Sequence, residues 1–171
     1  MIKHTDIRKL CYLALFCAIA IILSYIETFI PFSFGIPGAK TGLANIVTII
    51  LLFCFDFKSA LVVLVLRIFI VAAAFTNLYM MIYSLAGGII SLIMMTLFYK
   101  SHLFSDYIIS IIGGIFHNIG QLMIAMIFFN STVFLYYLPY LLLLGTLSGT
   151  VIGIIAELIY LKAGQYIKNK R

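Results

Sequence analysis

Arg67 lies near the middle of an otherwise apolar run, and a guanidinium there serves one of two ends. Inside a bilayer an arginine costs roughly 2.5–3.5 kcal/mol on an insertion scale, so it either binds an anion or bridges to protein. The available protein partners are Glu27, a backbone carbonyl or the region of His117. A second cation, Lys40, is followed by Thr41 and, one turn on, by Asn45, where a helix is expected to begin. An ammonium, a hydroxyl and unpaired helix N–H groups would together suit a phosphate or carboxylate. The plainer alternative is that Thr41 caps the helix while Lys40 snorkels to the interface. A third set is His117, Asn118 and Gln121, at helical positions i, i+1 and i+4. His117 and Gln121 share a face and Asn118 flanks it. Such side chains must face a bundle interior or a wet cavity, since lipid offers them no partners.

These groups sit in a chain of 171 residues that is 65% hydrophobic and 9% charged. That leaves too little polar surface to cover a soluble globule and marks an integral membrane protein, read as a single domain over residues 1–171. A net charge of +6 would suggest nucleic acid in a soluble protein, but here the cations lie in loops and tails. No nucleic-acid partner is expected. Cys11, Cys17 and Cys54 show neither disulfide nor metal spacing and read as packing residues. The N-terminus, with Lys3, Arg8 and Lys9 before an apolar run, looks like a signal peptide, but the run continues past the cleavage-like Ala18-Ile19-Ala20.

Hydropathy and breakers predict six transmembrane helices, at about 10–29, 41–55, 59–74, 78–99, 107–129 and 134–161. Six crossings put both termini on one side. That side collects Lys3, Arg8, Lys9, Lys58, Lys100, Lys162, Lys168, Lys170 and Arg171, and the opposite loops hold only Lys40. By the positive-inside rule the N- and C-termini are cytoplasmic, and the segment around Lys40 faces outward. Glu27 then falls near the outer site, whereas Glu157, on the inner side, is expected to pair with the basic tail near Lys162. Small residues at Ala14 and Ala18, and at Gly145, Gly149 and Gly153, would let helices approach closely.

Catalysis is a poor expectation. There is no Walker A motif, and Asp6, Glu27, Asp56, Asp106 and Glu157 are too far apart in sequence to form a neighbouring carboxylate pair for magnesium. No cofactor is implied.

The segments Pro37-Gly38-Ala39-Lys40-Thr41-Gly42-Leu43-Ala44-Asn45, Ser84-Leu85-Ala86-Gly87-Gly88 with Ser91, Gly113, Phe116-His117-Asn118-Ile119-Gly120-Gln121 and Tyr137-Leu138-Pro139 resemble the Gx transporter family. That family often carries the label heptaprenyl diphosphate synthase component I and is grouped with the substrate-binding S components of energy-coupling factor (ECF) transporters. The resemblance implies a six-helix, all-α S-component-like bundle, multi-pass in the bacterial inner (plasma) membrane. It also implies an outward pocket covered by the first loop, and docking on a T component driven by two ATPase subunits through small residues matched by Ala14 and Ala18. The site would comprise Lys40, Thr41, Asn45, Glu27, Arg67, His117, Asn118 and Gln121, with Phe32, Phe34, Tyr79 and Tyr83 covering an apolar part of a small, anionic cargo such as a vitamin or an isoprenoid or quinone precursor. Two other readings compete: a solitary proton-linked carrier using Glu27, Arg67 and His117, and a non-catalytic membrane subunit of prenyl diphosphate synthesis.

Overall fold

The computed structural model describes residues 4–29 and 42–159, and every regular element among them is helical. The helices are α1 (His4–Phe29), α2 (Asn45–Cys54), α3 (Phe57–Phe75), α4 (Leu78–Ser101), α5 (Asp106–Phe129) and α6 (Leu138–Ile159), with a 3-10 turn at Thr132–Tyr137 leading into the last. Several boundaries have a local cause. The Asp56 side chain accepts the Ser59 N–H at 2.7 Å and opens α3, and Asn77 accepts the Met80 N–H at 2.9 Å and opens α4. His102 and Asn130, with φ of 55° and 45°, turn left-handed to close α4 and α5. Pro139 sits in the first turn of α6, where its missing N–H costs nothing.

Five of these segments are long and apolar enough to cross a bilayer, and the protein is a multi-pass helical membrane protein. The exception is α2, expected as a crossing from Thr41 to Phe55. Only ten residues of it are helical, because Gly42 takes a φ of +79° and a turn through Leu43 and Ala44 delays the start. A ten-residue helix covers about 15 Å, half the hydrocarbon core. The segment nevertheless ties the two ends of α1 together. At one end the Leu43 N–H donates to Glu27 Oε1 at 2.8 Å, and at the other Lys9 Nζ pairs with Asp56 Oδ2 at 2.7 Å. Those anchor residues stand 18 positions apart on α1, about 27 Å along its axis.

The central place in the bundle belongs to this shortest helix. Every residue of α2 from Asn45 to Leu52 is buried, against α3 and α6 and also α1, α4 and α5. Its polar residues Asn45 and Thr48 are among those buried, where lipid would offer their side chains no partner. Around it α1 packs on α3, while α4, α5 and α6 form the tightest layer. In lipid no hydrophobic gain drives helices together, so close approach and van der Waals contact must do so. The seam of α5 and α6 is built accordingly. A Cβ on Gly149 would come within 2.7 Å of Ile111 Cα, one on Gly145 within 2.9 Å of the Gly114 carbonyl oxygen, and one on Gly114 would strike the Gly145 carbonyl oxygen. The glycine row on α6 is thus spent on internal packing. Ala14 and Ala18, by contrast, are exposed on the outer face of α1.

The pair Lys9–Asp56 is half-exposed, and its hydrogen bond from Lys9 is the main reason the Asp56 carboxyl is held down to about 2 from the usual 3.8. A carboxylate whose acidity is increased by folding stabilises above its unfolded pKa and loses that contribution as pH falls toward the folded one. Asp56→Ala is therefore expected to cost about 1 kcal/mol in thermal unfolding at pH 7, as capping and an exposed ion pair are lost. The difference should shrink between pH 4 and pH 2. Glu157, expected beside Lys162, is exposed with Asp106 as its electrostatic neighbour, and Lys162 lies outside the described residues.

Candidate binding site

Four helices and one turn converge on a cavity at the end of the bundle away from the Lys9–Asp56 pair. α1 contributes Ser24 and Glu27, the turn before α2 contributes Gly42, α3 contributes Arg67, and α5 contributes His117. The remaining helix, α4, supplies Met80, Met81 and Ser84. Space for water centres amounts to about 20 Å³, enough for one or two waters.

Arg67 is 6% exposed and is held from two helices. Its Nη1 donates to Ser24 Oγ at 2.8 Å, its Nη2 donates to Asn45 Oδ1 at a long 3.4 Å, and Glu27 is its chief electrostatic partner. Both Arg67 Nε and Asn45 Nδ2 are buried without an acceptor among the described residues. An unmet buried donor costs about 1–3 kcal/mol, more on a charged group.

Glu27, also 6% exposed, accepts the Leu43 N–H. The first N–H groups of α2, expected to point at an incoming anion, are instead taken internally: Asn45 N–H donates to the Gly42 carbonyl, Ile46 to Leu43 and Val47 to Ala44. An acidic side chain of the protein itself thus stands beside the positive end of this helix.

The His117 ring is held between two glycines. A Cβ on Gly42 would lie 3.4 Å from His117 Cδ2, and one on Gly87 would lie 2.8 Å from the His117 carbonyl oxygen and 3.0 Å from its ring. At Gly87 backbone leaves no room for a larger residue, and at Gly42 the φ of +79° disfavours any side chain. Gln121 Nε2 lies 3.1 Å from His117 Nε2. The imidazole tautomer sets the direction of that hydrogen bond.

The candidate residues therefore separate. Glu27, Asn45, Arg67, His117 and Gln121 come together. Asn118 turns to the other side, donating from Nδ2 to the Leu141 carbonyl at 2.8 Å and tying α5 to α6. One residue along a helix is a rotation of about 100°, which carries Asn118 off the face that His117 and Gln121 share. Tyr79 is 67% exposed and Tyr83 is buried among Leu122, Ala125 and Leu141; both rings pack on Phe128 rather than on the cavity. Lys40 and Thr41, with Phe32 and Phe34, lie outside the described residues. Ser24 was not expected. Its signal was present, a hydroxyl three positions before Glu27 on the same helical face.

Fold and site together define a polytopic helical membrane protein with a charged, glycine-framed cavity inside its bundle. Residues 16–159 match the family model described as heptaprenyl diphosphate synthase component I, and the chain belongs to that family. Comparison with curated proteins and with solved structures finds no match.

Proposed function

We propose that this protein is the substrate-binding membrane subunit, or S component, of an ECF-type importer for a small metabolite with an anionic group, in the bacterial plasma membrane with both termini cytoplasmic. The observation that carries the reading is the meeting of Arg67, Glu27 and His117 around one cavity. Buried charges in a membrane bundle mark ligand or ion sites, and ligand sites are concave with a few converging polar groups. The charge census puts this end of the bundle outside the cell. The exposed small residues Ala14 and Ala18 leave a flat strip on α1 for the T component. On this reading the protein is not an enzyme, and ATP is hydrolysed by partner subunits.

The family's description favours a second reading, a non-catalytic membrane component of prenyl diphosphate synthesis. One measurement separates them. Purification in mild detergent followed by native mass spectrometry is expected to retain a T component, two ATPase subunits and a small anion. Retention of a prenyl diphosphate synthase subunit instead would establish the second reading. Uptake into vesicles holding this protein alone would point to a solitary carrier.

A further inference from the structure

We propose that the Arg67 cavity takes a single carboxylate, carried on an otherwise apolar or neutral molecule, in preference to a phosphate or diphosphate. This deepens the binding-subunit reading and rests on it.

The hydrogen-bonding inventory asks for an acceptor. Arg67 Nε and Asn45 Nδ2 are both donors, both buried, and both without an acceptor among the described residues. On the guanidinium, Nη1 is engaged by Ser24, whereas Nη2 has only the long contact to Asn45. The edge formed by Nε and Nη2 is therefore the least satisfied one, and two parallel N–H groups on one edge match the two oxygens of a carboxylate.

Charge then limits what kind of anion fits. Glu27 lines the same cavity as Arg67, so among the described lining residues one acidic group faces one cation. A monoanion at Arg67 meets one repulsion from Glu27, and each further charge on a phosphate or diphosphate adds another. Room points the same way. Space for one or two waters admits a flat carboxylate group more readily than a tetrahedral phosphate, and far more readily than two joined ones. Ile68, Val71, Met80 and Met81 add an apolar stretch of wall beside the hydroxyl residues Thr76 and Ser84, which suits an alkyl or aryl continuation.

The test uses the full chain in lipid nanodiscs and thermal unfolding, at constant ionic strength. The probes are sodium acetate and butyrate, with acetamide, inorganic phosphate, pyrophosphate and sodium chloride beside them. Acetate should raise the unfolding midpoint with half-saturation in the millimolar range, and butyrate should do so at lower concentration. Acetamide, phosphate and pyrophosphate should do no more than chloride. Arg67→Gln should abolish the acetate response. Glu27→Gln, which keeps an oxygen for the Leu43 N–H, should strengthen acetate binding about three- to ten-fold by removing a repulsion. The Glu27 variant keeps the proposal falsifiable if the Arg67 variant fails to fold. Phosphate or pyrophosphate outperforming acetate, an acetate response equal to that of chloride, or no gain in Glu27→Gln would each overturn the proposal. A co-purified cargo without a carboxylate, alongside the ATPase module, would overturn the ligand class and leave the subunit reading standing. Absence of that module together with an Arg67-dependent acetate response would do the reverse.

Discussion

Arg67→Leu is expected to destabilise the protein by about 3–5 kcal/mol, because it takes a facing cation away from a buried carboxylate. Glu27 is 6% exposed and Arg67 is the cation that faces it across the cavity. Removing Arg67 also strands Ser24 Oγ and Asn45 Oδ1, which accept from its two terminal nitrogens. The double variant Arg67→Leu, Glu27→Gln should recover most of the loss, since glutamine carries no charge and still offers an acceptor to the Leu43 N–H. Thermal unfolding in detergent of the wild type, both single variants and the double variant checks this. A double variant no more stable than Arg67→Leu would show that the two side chains act independently. Ligand binding should stay lost in the double variant, which separates stability from function.

The second large effect concerns the α5–α6 seam. Gly114→Val is expected to cost about 1–3 kcal/mol or more, by the rule for overpacking an already filled interface. The obstruction is backbone, the Gly145 carbonyl oxygen, and a backbone cannot rotate aside as a flexible side chain can. The two helices must separate, and with them the Asn118 to Leu141 hydrogen bond that joins them. Three positions along α5 is His117, so displacement of this helix should also weaken ligand binding at the cavity. Leu143→Ala is the control. Leu143 is 65% exposed on the same helix as Gly145, and its loss should change stability by less than about 0.5 kcal/mol. Equal effects of the two substitutions on the unfolding midpoint would sink the close-packing account of this seam.

Why some of the site was legible and some was not follows from the solvent. A charge inside an apolar run is expensive wherever the chain folds, so Glu27 and Arg67 announced themselves before any contact was known. His117 and Gln121 shared a helical face by spacing alone, and they meet in the structure at 3.1 Å. Asn118 carried the same polarity and no sign of direction. Which way it turns depends on where α6 lies, and that is a long-range fact. Tyr79 and Tyr83 illustrate the same limit: their types suited a pocket wall, but Phe128 provides their packing.

By itself the sequence determined the solvent, the class and the cost of each polar group. An apolar chain with cations confined to loops must be a helical membrane protein, because in lipid every backbone group has to be satisfied within its own helix. Tertiary structure alone decided that α2 is the short central helix and that Glu27 stands at its start. It also decided that Arg67 is shared between Ser24 and Asn45, and that His117 fits between Gly42 and Gly87. The physical reason is separation along the chain. Arg67 and Ser24 are 43 residues apart, and Asn118 and Leu141 are 23 apart. Helical periodicity reaches only three or four residues, so it orders one face of one helix, and the meeting of faces is settled by how glycines let the helices approach.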